Sequence, residues 1–150
     1  MKAIYTELAR AGIRPTASRF SILKLFREHP DAHFSVEQIY RMLAGGPEPV
    51  SLASTYRTLS AFVESGLVTS ASLGDSRVVY ELNHGRPHHH LVCRRCGDIC
   101  DLHDDDLTAQ FEHVASRHRY TCHAAALVIS GTCPACQAKG GDFRPQDGMR

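Results

Sequence analysis

The sequence predicts an α+β chain made of two small parts, and three observations carry that expectation. Helical patterns in the first half close on a β-hairpin, which is the order of a winged helix-turn-helix. All six cysteines lie between Cys93 and Cys136, and eight of the ten histidines follow position 83. Between the halves, Asn83-His84-Gly85-Arg86-Pro87 has the composition of a linker. The expected division is a winged-helix domain over 1–82, a hinge over 83–87, a small α/β domain over 88–138 and a tail over 139–150.

Each element has its own signal. Residues 3–10 suit a short helix stopped by Gly12, and Thr16 to about Glu28 suits a second, with Phe20, Leu23 and Phe26 at turn spacing. Ser35 followed three residues later by Gln38 is a capping-box pair. It opens a third helix with Val36, Ile39, Tyr40 and Leu43 on one face, broken by Gly45, Gly46, Pro47 and Pro49. A fourth helix is expected from about Leu52 to Ser65, with Gly66 as its stop. On it, Ser54, Arg57, Thr58 and Ala61 share a polar face, while Leu52, Tyr56, Leu59 and Val63 form the expected core stripe. The hairpin strands are Val68–Ser72 and Arg77–Leu82, joined by Leu73-Gly74-Asp75-Ser76.

In the second half, His89–Cys93 and Asp98–Leu102 read as short strands. A helix from about Asp104 to Arg119 carries Leu107, Phe111, Val114 and Ala115 on one face. Its opening run Asp104-Asp105-Asp106 sits where a helix dipole favours carboxylates. Ala124–Ser130 is a β-rich apolar run.

Composition excludes little. With 43% hydrophobic and 22% charged residues the chain reads as soluble and globular, with no apolar run near the ~20 residues of a membrane span. A net charge of +1 does not point to a polyanionic partner. Cysteines without an export signal suggest a cytoplasmic metal site rather than a disulfide framework.

Cys93-Arg-Arg-Cys96 and Cys133-Pro-Ala-Cys136 are two CxxC knuckles separated by 36 residues. Two such turns can offer four thiolates to Zn²⁺ at ~2.3 Å per bond, and Gly97 permits the tight backbone the first one needs. The rival readings are a redox dithiol at Cys133 and Cys136, or inert thiols. The redox motif should open a helix within a βαβ unit, and Gln137-Ala-Lys-Gly-Gly is too short and glycine-rich for that. A zinc deaminase would need H-x-E, which is absent, as are H-E-x-x-H, G-x-S-x-G and the phosphate-binding G-x-x-x-x-G-K. An enzyme is disfavoured. The run His88-His89-His90 precedes Cys93; on a strand His88 and His90 share a face and His89 takes the other, the plain alternative being a solvated turn.

Taken together, the motifs resemble the ferric uptake regulator family of metal-responsive repressors. The carrying residues are Ala11-Gly-Ile-Arg14-Pro-Thr16 with Arg19, His33-Phe-Ser-Val-Glu-Gln-Ile-Tyr40, Ser54-Thr-Tyr-Arg57-Thr-Leu59 and Gly66-Leu-Val68. They continue through Tyr80-Glu81-Leu82, His88 to Gly97, and Ser130-Gly131-Thr132-Cys133 with Cys136. The resemblance implies an N-terminal winged helix-turn-helix followed by a small α/β dimerisation domain. It implies structural zinc on Cys93, Cys96, Cys133 and Cys136, and a regulatory metal on His33, Glu81, His88, His90 and Asp101. Such an ion clips two domains together and links metal binding to DNA affinity. A further metal site of the family is altered, because its positions hold His89, Thr108 and Ala125; His89 and His123 are the residues left to rebuild it. Cys100 and Cys122 are extra, and Cys100 is expected to be a buried thiol.

For DNA, the resemblance implies contacts from Arg14, Arg19, Ser54, Tyr56, Arg57 and Thr58. Arg57 suits a guanine in the major groove, and Arg14 suits the minor groove of an A·T-rich inverted repeat. Residues 1–86 carry ten Lys and Arg against eight Asp and Glu, so binding is expected to lean on metal and on a second protomer. The expected regulatory ion is Fe²⁺, with Mn²⁺, Zn²⁺ or Ni²⁺ also able to occupy a site of mostly N and O donors. The rival readings are a peroxide-sensing member of the family, whose subgroup the chain resembles in carrying Asp rather than Glu at position 101, a zinc-uptake regulator, and, more distantly, a zinc-dependent dithiol oxidoreductase.

Overall fold

The computed structural model describes residues 2–46, 50–74 and 76–140. Pro47, Pro49, Asp75 and the tail from 141 onward, each assigned a turn or tail role above, lie outside the described residues. The chain divides between Gly85 and Arg86 into two compact units.

The first unit runs α1 (Lys2–Arg10), α2 (Ala17–Glu28), α3 (Val36–Leu43) and α4 (Leu52–Glu64), then β1 (Val68–Ser72) and β2 (Val78–Leu82). The strands pair antiparallel, with Val68 opposite Leu82 and Thr69 opposite Glu81. Local chemistry starts the helices. The Thr16 hydroxyl accepts from the Arg19 amide ahead of α2, and the Ser35–Gln38 box closes in both directions ahead of α3. A second box, Ser51 with Ser54, opens α4; its N3 residue is serine, so the usual Glu/Gln signature misses it. After α4 the chain reverses at Gly66, whose φ of +74° a side chain would strain. Leu8, Ile22, Leu23, Phe26, Ile39, Leu59, Phe62 and Val68 form one buried core.

The core face of α4 differs from the expected stripe. Thr55, Thr58, Leu59 and Phe62 are buried, whereas Leu52, Tyr56 and Val63 are exposed. This helix is apolar on most sides, so its periodicity admits two stripes, and seating the large Phe62 ring in the core selects the second. Thr55 enters without stranding its hydroxyl, which donates to the Ser51 carbonyl at 3.0 Å. Thr58, expected on the DNA-facing side, is only 4% exposed, so its place is in the core.

The second unit holds β3 (His89–Cys93), β4 (Ile99–Leu102), α5 (Asp105–Arg117), β5 (Val128–Gly131) and α6 (Pro134–Ala138). Central β3 pairs antiparallel with β4 and parallel with β5. Asp104 caps α5, its carboxylate accepting from the Leu107 amide at 2.9 Å. Strand β5 is shorter than the apolar run suggested, starting at Val128 rather than Ala124. Just before it, the Leu127 amide donates to the His89 ring rather than into a ladder.

This unit buries little apolar surface. Its buried hydrophobic residues among those described are Val92, Cys93 and Cys136, and α5 buries none. Leu91 and Ile129 are register partners on β3 and β5 and both are exposed, as is Val114 on α5. Cys100, opposite Leu91 on β4, is exposed and not the buried thiol expected, because this row crosses an open face of the sheet. So thin a core is too little to hold three strands and two helices unaided.

Candidate metal centres and the family they identify

The two CxxC turns converge. One Sγ from each of Cys93, Cys96, Cys133 and Cys136 lies within 4.8 Å of the other three. Cys96 and Cys133 stand 3.7 Å apart, against about 3.8 Å for the edge of a tetrahedron with ~2.3 Å Zn–S bonds. The backbone holds this geometry. The Cys93 amide donates to Asp98 and the Gly97 amide to Cys93, folding the first knuckle, while the Arg94 amide ties it to Gly131. Arg95 Nη1 donates to the Cys136 carbonyl at 2.6 Å, latching the first turn onto the second. The Cys133 amide donates to Cys93 Sγ at 3.3 Å and, with further amides, holds the Cys93 thiol down at about 6. The neighbouring Cys133 thiol, with burial, pushes Cys136 up to about 12. One sulfur readily ionised and another needing a cation to ionise is what four crowded thiols do before a dication neutralises them. The donor set fits zinc.

In the N-terminal unit, a β-bridge between Phe34 and Tyr80 fastens the loop before α3 to β2. Phe34 and Tyr80 exchange amide bonds of 2.9 and 2.8 Å, which brings His33 beside Glu81. His33 Nε2 stands 3.0 Å from Glu81 Oε2, and the Thr69 hydroxyl donates to Glu81 Oε1 at 3.3 Å. Both side chains are almost fully buried.

In the C-terminal unit, the register opposing His90 to Asp101 builds a second group. Asp101 Oδ1 lies 3.9 Å from Nε2 of both His88 and His90. That is too long for a hydrogen bond, yet inside the ~4.2 Å that two donors can span about one ion at ~2.1 Å each. The His88 and His90 rings stand 4.8 Å apart, sharing a side as the alternation required.

His89 turns the other way. Its Nδ1 accepts from the Leu127 amide at 3.2 Å and its ring meets Phe111 edge-to-face at 5.2 Å. His123 is exposed and precedes β5 by several residues, so the strand pairing assumed for it is absent. Neither joins any cluster of three or more metal-competent side chains among the described residues. A site rebuilt on His89 and His123 would therefore have no third such side chain to complete a cluster among the described residues.

The ferric uptake regulator family model matches residues 10–130. The chain belongs to that family. It is 34% identical over 134 residues to the ferric uptake regulation protein of Neisseria gonorrhoeae, covering 89% of this chain and 93% of that one. The ferric uptake regulator of Francisella tularensis, solved with iron, superposes with a TM-score of 0.76 at 28% identity, over 84% of this chain and 96% of that one. The Vibrio cholerae regulator superposes at 0.74 and 29% identity, over 86% and 98%.

Ferric uptake regulators are transcriptional regulators and not enzymes, so the first unit is a winged-helix DNA-binding domain and the second a dimerisation domain. On the DNA-binding domain, Tyr56 and Arg57 are exposed on α4, and Ser54 is partly exposed but engaged in the capping box. Arg14 is exposed, while Arg19 donates from Nη1 to the Arg14 carbonyl at 2.7 Å and so braces the turn that presents it. The Tyr56 hydroxyl donates to Glu37 on α3 at 3.2 Å. Glu37's own amide, then the Ser35 hydroxyl, hold its carboxyl below the usual range, and its charge keeps the Tyr56 phenol protonated. This tyrosine–glutamate contact leaves no local pattern in the sequence, since it joins residues 19 positions apart on two helices.

Proposed function

We propose that the chain is a cytoplasmic, homodimeric repressor with structural zinc on Cys93, Cys96, Cys133 and Cys136 and a divalent corepressor metal on His33, Glu81, His88, His90 and Asp101. The observation that carries this is the pairing of two donor groups, His33 with Glu81 and His88 and His90 with Asp101. Two donors bind an ion weakly and three leave it open; together they make a set of three nitrogens and two oxygens. An ion taking all five ties the DNA-binding domain to the dimerisation domain and favours the arrangement that brings the donors together. The open sheet face and uncovered α5 support a second copy as the occupant of that surface.

Fe²⁺ is the favoured ion, since the donors are all nitrogen and oxygen, with no thiolate, and a relative was solved with iron. One second reading is a peroxide sensor, because Asp rather than Glu at position 101 resembles that subgroup of the family; there peroxide would be the oxidant of a ligand histidine, and iron held by these residues would supply the redox chemistry. A metal count tests the site. Zinc-loaded chain should take up one further divalent ion per protomer, and Asp101→Ala should lose that ion while keeping zinc. Uptake unchanged in the variant would refute the ligand assignment.

DNA binding follows from the exposed face of α4. Arg57→Ala should weaken operator binding by about 1–3 kcal/mol, roughly 5- to 150-fold, in a fluorescence anisotropy titration of an A·T-rich inverted-repeat duplex. A loss under twofold would remove Arg57 from base readout.

A further inference from the structure

The histidine pair of the C-terminal unit has a third member. On one side of His88 lies the His90 ring at 4.8 Å; on the other lies the His103 ring at 5.3 Å, tilted by 46°. Two imidazoles gripping one ion through ~2.1 Å bonds hold their centroids roughly 4.5–5.2 Å apart. Both spacings are thus close to those of rings that share a cation. Exposure rises along the row, from the His90 side chain at 5% through the His88 side chain at 9% to the exposed His103. The backbone at His103 is fixed on both sides, since β4 ends at Leu102 and Asp104 caps α5. The exposed carboxylates of Asp104, Asp105 and Asp106 follow directly in the chain and raise the local concentration of cations.

We propose that His103 is a capture ligand that forms, with His88, an exposed landing site from which the regulatory ion passes to His90 and Asp101. The inference rests on the reading of His88, His90 and Asp101 as regulatory ligands. Two imidazoles hold an ion briefly, which a transfer step needs. His88 belongs to both groupings, so the ion keeps one bond while it exchanges His103 for the buried donors. Because the landing site lies on the path in both directions, losing it slows uptake and release together and leaves the equilibrium affinity unchanged.

Stopped-flow mixing of the zinc-loaded full chain with Co²⁺, followed by its d–d absorption, reads uptake, and excess chelator reads release. His103→Ala should slow both severalfold, because the landing site keeps only one of its two imidazoles, while the dissociation constant stays unchanged. His113→Ala, an exposed histidine on α5, should leave both rates unchanged. Unchanged rates in His103→Ala would overturn the proposal. So would weaker affinity at an unchanged uptake rate, the mark of a permanent ligand, or equal slowing in His113→Ala. If the zinc-loaded wild-type chain takes up no Co²⁺ at all, the regulatory-site reading falls and this inference with it.

Discussion

Cys133→Ser is expected to unfold the C-terminal domain and convert the protein to a monomer. The size of the effect follows from how little else holds that domain. Its buried hydrophobic residues among those described are Val92, Cys93 and Cys136, two of which are themselves knuckle cysteines. Structural zinc in small domains contributes about 10–16 kcal/mol of apparent folding free energy. A whole domain commonly keeps a net stability of only about 5–15 kcal/mol. Removing one thiolate leaves three ligands and lets the second knuckle separate from the first. The row of Leu91, Cys100 and Ile129 then loses its scaffold and with it the surface for a second copy. The N-terminal domain should survive, because its core of Leu8, Ile22, Phe26, Ile39 and Phe62 is built within residues 1–85. Zinc content, thermal melting followed by circular dichroism, and a sizing column read the three consequences. A variant that stays folded and dimeric without zinc would show that apolar packing suffices.

The second large effect is expected at His90. His90→Ala should keep its zinc and its fold but lose the gain in operator affinity that a divalent ion confers. Coupling of this kind is commonly worth about 1–3 kcal/mol, a gain of roughly 5- to 150-fold. His90 is chosen because it sits on β3 opposite Asp101, so its removal takes a nitrogen donor from beside the carboxylate of the same group. Since the side chain is buried, His90→Asn serves as a partner variant that fills more of the space. Loss of the metal response in both, with unchanged melting, separates a missing ligand from a damaged fold. A normal metal response in either variant would remove His90 from the site.

What could be read from sequence divides along a physical line. The Ser35–Gln38 box, the Gly66 stop and the strand His89–Cys93 are written in neighbouring residues, and local hydrogen bonding realises them. The convergence of the cysteines was legible because CxxC spacing fixes each knuckle, leaving only their meeting to the fold. Features decided by distant contacts were not legible. Which face of α4 is buried depends on where Phe62 finds room, so Thr58 changed sides. The exposure of Cys100 follows from a sheet face left uncovered, and His89 is engaged by an amide 38 positions away. The contacts of Tyr56 with Glu37 and of His88 with His103 belong to the same class, since side-chain pairs across elements leave no periodic trace.

Metal and DNA binding are expected to form one linked equilibrium. Linkage makes it directly measurable, because whatever factor metal adds to DNA affinity, DNA must add to metal affinity. Zinc-loaded chain titrated anaerobically with Fe²⁺, with and without the operator duplex, gives that factor by calorimetry. Operator should tighten the Fe²⁺ dissociation constant by the same factor seen when DNA binding is titrated with and without Fe²⁺. An Fe²⁺ affinity that is the same with and without operator would contradict it.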